Sequence, residues 1–218
     1  MIGVVIAMQS EADILLNTMQ IKHELAISNK KVFVGTAFGK ELVLCLCGVG
    51  KVNAALGTQI LISKFEVDKL LNFGVAGSLN QKTQICQVYQ IEAATQFDFD
   101  LAQLNGTPIG TLNEYEVPYL PLNILALPFE CKKLGTADRF NDSIDDYNLL
   151  TTALHADLRD MEGGAIVQAA IAAQLPVYSI KAISDVAGSG STTEQFLANK
   201  DKALKNLELV LPKIFEKL

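Results

Sequence analysis

Apolar runs of strand length alternate with stretches of helical periodicity along most of the chain. β-branched and apolar runs predict strands over residues 2–7, 31–38, 41–47, 69–73, 86–94 and 177–183. Helical spacing predicts helices over residues 10–19, 52–64 and 163–174, and a C-terminal helix that starts at a capping box over residues 192–195. Residues 97–121 are predicted to be mostly loop. This alternation indicates an α/β sheet covered on both faces.

The length and composition of the chain predict that residues 1–218 form one folded domain. Of the 218 residues, 50% are hydrophobic and 19% are charged, which allows a large core and argues against disorder. The net charge of −6 argues against a nucleic-acid groove, because such grooves need clustered positive charge. We therefore expect no nucleic-acid partner.

The cysteines and histidines do not form a metal-binding pattern. The four cysteines lack a C-x-x-C pair, and His23 and His155 are far apart in the sequence, so we expect no metal. Cysteines in apolar surroundings are typical of reduced thiols in a cytoplasmic protein. The N-terminus lacks a signal-peptide pattern and no apolar run reaches 18 residues, so a cytoplasmic protein without a membrane partner is predicted.

Three acidic residues stand at predicted junctions between strands and helices. Glu11 follows the first strand, Asp185 follows the strand over residues 177–183, and Glu162 precedes an apolar helix. Each alone is compatible with a helix-start or turn charge. Together they lie where α/β proteins build their sites, at the carboxyl ends of strands. They are therefore the main candidates for chemistry.

Several common site patterns are missing. The two histidines and the lack of a G-x-S-x-G elbow argue against a Ser-His-Asp hydrolase. The segment 48–53, GVGKVN, lacks the third glycine of a dinucleotide fingerprint and the spacing of a Walker loop. A glycine cluster of this kind is more often a tight turn than a ligand cradle.

Five segments follow one another along the chain: IGVVIAMQSE at 2–11, GVGKVNAA at 48–55, NFGVAGSL at 72–79, MEGGAI at 161–166 and KAISDVA at 181–187. In this order they resemble the 5′-methylthioadenosine/S-adenosylhomocysteine nucleosidases of the nucleoside phosphorylase superfamily. Their order and spacing agree along almost the whole chain, and only residues 81–130 align loosely. The resemblance implies a three-layer sandwich in which helices flank a central mixed, twisted sheet.

The resemblance also implies roles for particular residues. Glu11 is expected to be the general base that activates water, and Asp185 the acid that protonates the leaving adenine, with Ser184 orienting it. Glu162 is expected to bind the ribose hydroxyls, Met161 to pack on the ribose, and Phe140 to stack on adenine. The remaining expected substrate-binding residues are Met8, Val49, Val75, Ala76, Gly77 and Lys181. An acid and a base suffice for glycoside hydrolysis, so no cofactor is expected.

Three departures from the family pattern bear on the substrate more than on the reaction class. Val75 stands where the nucleosidases often carry serine, and Lys181 replaces an arginine. The pair Gly163–Gly164 weakens the start of the helix behind Glu162.

Three alternatives to this nucleosidase stay open. A purine nucleoside phosphorylase needs a cationic phosphate pocket, but Arg139 and Arg159 are the only arginines and neither lies in the first strand or the glycine segments. A futalosine-type nucleosidase would share the catalytic residues and differ in the pocket for the 5′ substituent. A silent nucleoside-binding protein would not require both an acid and a base. The resemblance further implies a homodimer in which residues 97–119 line the partner's pocket.

Overall fold

Strands and helices alternate through the chain. The computed structural model describes all 218 residues. Its strands are β1 (Ile2–Ile6), β2 (Gln20–Ile27), β3 (Lys30–Ala37), β4 (Lys40–Leu46), β5 (Lys69–Ser78), β6 (Val88–Gln96), β7 (Leu120–Pro121), β8 (Cys131–Thr136), β9 (Leu158–Asp160) and β10 (Val177–Val186). Its helices are α1 (Gln9–Leu16), α2 (Lys51–Lys64), α3 (Ala102–Asn105), α4 (Ile144–Asn148, followed by a π-helical turn over Leu149–Ala153), α5 (Gly163–Ala172) and α6 (Thr192–Lys217).

All ten strands belong to one mixed sheet, which is partly closed on itself. Strand β5 lies at its centre and pairs in parallel with β1 on one side and β10 on the other. The order β10-β6-β8-β9-β5, together with the pairing of β10 with β5, closes five strands into a ring. Beyond β1, the strands β4, β3 and β2 extend the sheet to an open edge.

Helices cover both faces of the sheet, which confirms the predicted three-layer α/β domain. Helices α1 and α6 pack together and against β5 and β10, over a core that includes Phe73 and Phe215. Helices α2 and α5 pack together on the opposite face, over a core that includes Val43 and Ile166. Because β1, β4, β5 and β10 are parallel, their carboxyl ends reach the same edge of the sheet. No helix is both long enough and apolar enough to span a membrane.

The structure corrects several predicted boundaries. Strand β5 continues to Ser78 and β10 to Val186, so the glycine segment 74–77 and Asp185 lie within strands rather than after them. The extra residues stay paired because β5 and β10 continue their ladder past a register shift between Ile183 and Asp185. The cap of α6 is Ser191, one residue before the predicted capping box, and its hydroxyl accepts from the Glu194 N–H.

Candidate active site

A cavity of about 380 Å³ opens at the edge where the parallel strands end. This volume lies within the range of small-molecule sites. The lining residues lie at or just after the ends of β1, β4, β5, β8, β9 and β10 and at the start of α6. They are Ala7, Met8, Glu11, Val49, Val75, Ala76, Gly77, Arg139, Phe140, Arg159, Asp160, Met161, Glu162, Ser184, Asp185, Thr193, Phe196 and Leu197. The lining therefore combines apolar side chains with three carboxylates that the sequence singled out.

Glu11 is buried at the first turn of α1 and is held by two backbone donors. Its Oε2 accepts from the Met8 N–H at 3.1 Å, which caps the helix, and its Oε1 accepts from the Val75 N–H at 2.9 Å. The cap of α1 is therefore Met8, and the helix begins at Gln9, one residue before the predicted start at residue 10. Burial raises the pKa of the Glu11 carboxyl, while Lys181 and the two N–H donors act in the opposite direction.

The position of Glu11 depends on a glycine of the central strand. A Cβ atom at position 74 would overlap the Glu11 carboxylate, so Gly74 leaves the space that this side chain fills.

Asp185 lies in β10 just beyond the register shift. Its Oδ1 accepts from the Ser184 hydroxyl at 2.7 Å, and its Oδ2 has no hydrogen-bond partner although it is buried. A Cβ atom at Gly77 would lie 2.6 Å from Oδ2, so a second glycine of β5 makes room for this carboxylate. Burial raises the pKa of Asp185, whereas the Ser184 hydrogen bond and the Arg159 charge lower it. A raised pKa suits a group that must deliver a proton.

Glu162 is the third acid that the sequence singles out, and it precedes the first residue of α5. Its Oε1 accepts from the Gly50 N–H at 2.9 Å, at the start of α2. Burial raises the pKa of Glu162 to about 7, and Asp160 acts in the same direction, whereas Lys181 and the Gly50 N–H oppose them. This carboxylate therefore joins the N-terminal ends of two helices while facing the cavity.

Lys181 lies behind the cavity and does not line it. Its ammonium forms a buried ion pair with Asp160 at 2.9 Å. Burial lowers the pKa of Lys181, but Asp160, Glu11 and Glu162 outweigh this effect and keep the amine protonated. Lys181 is therefore not a lining residue, and its charge lies next to the carboxylates of Asp160, Glu11 and Glu162.

All other predicted site residues lie in the cavity wall. Apart from Lys181, each of the twelve residues proposed from the sequence is among the lining residues. Phe140 is half-exposed and packs edge-to-face on Phe196, with the ring centroids 5.5 Å apart. Phe97, by contrast, is buried in a small core beside the π-helical turn, and Phe99 packs on the core under α2 and α5.

Sequence reasoning missed seven lining residues. Both arginines are among them, although neither stands at the end of a predicted strand. The sequence does contain one signal that Arg159 lies near the site, because it stands only three residues before Glu162. Phe196 and Leu197 belong to the first turns of α6, and no strand-end argument pointed to that helix. The missed residues are Ala7, Arg139, Arg159, Asp160, Thr193, Phe196 and Leu197.

Comparison with known proteins agrees with this geometry. The family model described as the phosphorylase superfamily matches residues 1–216. A 5′-methylthioadenosine/S-adenosylhomocysteine nucleosidase of Listeria innocua is 32% identical, over 96% of this chain and 98% of that protein. The solved nucleosidase of S. pneumoniae, bound to a transition-state inhibitor, is 25% identical with a TM-score of 0.88, over 99% of this chain and 98% of that one. A futalosine hydrolase of Helicobacter pylori shares the fold, with a TM-score of 0.90 at 22% identity over 100% of this chain and 97% of that one.

These matches cover nearly the whole chain, so the resemblance predicted from the sequence is confirmed. The chain belongs to the phosphorylase superfamily and, within it, to the family of 5′-methylthioadenosine/S-adenosylhomocysteine nucleosidases.

Proposed function

We propose that the protein hydrolyses the N-glycosidic bond of 5′-methylthioadenosine, S-adenosylhomocysteine or both, releasing adenine and the 5-substituted ribose. Membership of the nucleosidase family supports the reaction class. The observation that carries the proposal is that Glu11, in the helix that follows β1, and Asp185, in β10, line one cavity from the two sides of β5. An acid and a base in one cavity are what glycoside cleavage needs.

The two carboxyl groups divide the proton transfers between them. As the bond between the anomeric carbon and adenine breaks, its electron pair leaves with the base, and Asp185 supplies a proton to the imidazole-ring nitrogen. Water attacks the oxocarbenium-like carbon, and Glu11 takes the proton that this water loses. Ser184 fixes the Asp185 carboxyl by its hydrogen bond. The burial of both acids strengthens their electrostatic effect on the transition state.

The remaining lining residues suit the rest of a nucleoside. Glu162 has a carboxylate oxygen free to accept from ribose hydroxyls, and Met161 precedes it in the wall. Phe140 offers an aromatic face for stacking on the base. Met8, Val49 and Val75 supply the apolar surface that a thioether substituent prefers. We assign Lys181 to the charge balance beneath the site, not to substrate contact.

Water is favoured over phosphate as the attacking nucleophile. The reason is that carboxylates of the protein already accept hydrogen bonds from the backbone N–H groups that a phosphate would use. Glu11 accepts from the N–H groups of Met8 and Val75. Glu162 and Asp138 accept from the first N–H groups of α2, at 2.9 and 2.7 Å. A phosphate at either place would meet negative charge instead of free donors.

The protein is further proposed to act as a homodimer. The support is an apolar stripe on the outer face of α2, formed by Val52 and Leu56, which continues to Val49 at the cavity. A second subunit that covers this stripe would also cover one wall of the cavity.

The direct test is adenine release from 5′-methylthioadenosine in phosphate-free buffer, followed by ultraviolet absorbance or chromatography. We expect turnover without phosphate, a free 5-substituted ribose as the second product, and abolished turnover in Glu11→Gln. The glutamine keeps the hydrogen-bonding shape but takes no proton from water. Dependence on added phosphate, with a ribose 1-phosphate product, would show a phosphorylase instead.

A further inference from the structure

Helix α2 begins without the local features that usually stabilise a helix N-terminus. Its cap is Gly50, which has no side chain to accept a hydrogen bond, and its first turn contains no acidic residue. Its first residue is Lys51, a cation at the positive end of the helix dipole, where positive charge is unfavourable. The start of α2 therefore depends on negative charge from elsewhere in the chain.

Three carboxylates from distant segments supply that charge. Glu162, before α5, accepts from the Gly50 N–H, and Asp138, after β8, accepts from the Lys51 N–H at 2.7 Å. Asp98, after β6, forms an ion pair with the Lys51 ammonium at 2.5 Å through its Oδ1 atom. Its Oδ2 atom accepts from the Asp138 N–H at 3.2 Å. Lys51, Asp98 and Asp138 thus form a closed ring of contacts, which we call the α2 clasp.

The α2 clasp joins two segments of the cavity wall while staying outside the cavity. Val49 lines the cavity two residues before Lys51, and Phe140 lines it two residues after Asp138. None of the three clasp residues is itself a lining residue. The side chains of Lys51 and Asp98 are only 19% and 16% exposed, so water screens their attraction less than that of a surface pair.

The segment that carries Phe140 is held by two anchors, of which the α2 clasp is one. Asp138 fixes the near end against α2, where a Cβ atom at Gly50 would lie only 3.1 Å from its Oδ1. Arg139 fixes the next residue by donating to Asp146 at 2.8 Å. The ring of Phe140 is half-exposed, so the position of this ring depends on its backbone anchors more than on surrounding core.

We infer that Lys51 and Asp98 are positioning residues that hold two walls of the substrate cavity in place through the α2 clasp. The inference rests on the proposed function, in which Phe140 stacks on the base and Glu162 binds the ribose. The hydrogen bonds of the two proton-transfer residues lie outside the clasp. The clasp therefore determines how tightly the nucleoside is bound, and not how fast the bound nucleoside is cleaved.

Two variants that break the ion pair test this separation of binding from chemistry. Lys51→Met and Asp98→Ala should each raise KM for 5′-methylthioadenosine by about 5- to 20-fold and change kcat by less than about threefold. The double variant should show no larger rise than either single one, because both changes break the same clasp. Lys51→Arg keeps the cation and should stay within about threefold of the unmodified protein.

Adenine alone provides a second readout, because its binding involves no reaction. Calorimetric titration should give a Kd for adenine that rises by about the same factor as KM in Lys51→Met and Asp98→Ala. The matched control is Glu130→Ala, which breaks the ion pair of Glu130 with Lys132 at 2.6 Å, at the opposite end of β8 from the cavity. This control should change neither KM nor the Kd for adenine.

Unchanged KM and adenine Kd in both variants would show that the clasp only stabilises the fold, and would overturn the inference while the proposed function stands. A fall in kcat at constant KM would also overturn it. An unmodified protein that neither binds nor releases adenine would overturn both proposals. Light scattering checks association, because residues 97–119 are expected to face a second subunit; a rise in KM that accompanies dissociation would contradict the inference. If thermal unfolding shows that Asp98→Ala does not fold, Asp98→Asn, which keeps an acceptor for the Asp138 N–H, decides by the same criteria.

Discussion

Glu11 and Asp185, two of the four carboxylates of the cavity, are both buried but differ in what surrounds them. Glu11 has two backbone donors and the nearby charge of Lys181, which support its ionised form. Asp185 has one hydroxyl donor and a more distant arginine, so its ionised form has fewer partners. Burial raises the pKa of both carboxyls, so the larger number of donors around Glu11 is what favours Glu11 as the base and Asp185 as the acid.

For the acid, the change Asp185→Asn gives the clearest prediction. Asparagine still offers a hydrogen bond to the base but delivers no proton. Turnover of 5′-methylthioadenosine should fall by about 10²–10⁴, the usual contribution of general acid catalysis. A 4-nitrophenyl riboside, whose leaving group departs without protonation, should lose less than about tenfold under the same conditions. Equal losses on the two substrates would mean that Asp185 holds the end of β10 and transfers no proton.

A second residue-scale prediction concerns stability and pH. The pKa of Glu162 rises from 4.5 to about 7 on folding, so the folded state binds this proton more tightly than the unfolded state. The associated stability is present below pH 4.5 and is lost as the pH rises to about 7. Glu162→Gln, which keeps an acceptor for the Gly50 N–H, should therefore stabilise the protein by about 1–3 kcal/mol at pH 8.

Denaturant unfolding of both proteins at pH 8 and pH 5 measures this effect. The advantage of the glutamine variant should shrink strongly at pH 5, where the unmodified carboxyl is protonated in the folded state. An advantage that is the same at both pH values would show that ionisation of Glu162 is not its source.

Most residues of the candidate site can be predicted from the sequence, because acids and glycines at the ends of predicted strands are recognisable from their neighbours in the chain. Glu11, Glu162 and Asp185 each adjoin an apolar run that predicts an element. Arg159 gives no such signal, because its position depends on a three-residue strand that is too short for alternation to reveal. Lys181 differs from these acids, since this residue of a site motif lies behind the cavity wall and forms an ion pair with Asp160.

At the scale of elements, β5 makes the site possible by having no side chains where two carboxylates must lie. We predict that Gly74→Ala lowers turnover by more than about tenfold and destabilises the fold by about 1–3 kcal/mol. The added Cβ overlaps the carboxylate of Glu11, which two backbone donors hold in place.

The matched control is Gly3→Ala in the neighbouring strand β1. There the added Cβ would meet Leu70 Cδ2 at 2.8 Å, so the core is crowded without any contact with a carboxylate. Unfolding free energy should drop in both variants, whereas turnover per folded molecule should drop only in Gly74→Ala. A similar loss of turnover in Gly3→Ala would indicate that general crowding, and not Glu11, is responsible.

The predicted strands contain long apolar runs, whereas the missed strands are either exposed or too short to show a pattern. Strand β2 is exposed along nearly its whole length and exists through its pairing with β3 at the open edge. Strands β8 and β9 complete the ring with β5, so long-range pairing defines them more than local pattern does. Single-sequence periodicity contains no information about which distant strand supplies a partner.

For the whole molecule, the outer face of α2 leads to a prediction about association. Val52 and Leu56 are 70% and 49% exposed although both are large and apolar. Leu56→Asp should convert a dimer into a monomer in light scattering at micromolar concentration, because a buried unpaired charge opposes association. Leu209→Asp is the control, since Leu209 is 69% exposed on α6 in the opposite layer. A monomeric unmodified protein, or dissociation caused equally by both changes, would contradict the prediction.

The central position of β5 has a consequence for the nascent chain. One side of this strand pairs with β1, which leaves the ribosome before it, but the other side pairs with β10, which is nearly the last element made. Until β10 emerges, the edge of β5 that pairs with it has backbone N–H and C=O groups without strand partners. Asp185 has also not yet been synthesised. A partly translated chain is therefore both inactive and open to wrong pairing during the same interval, which is when a chaperone would matter most.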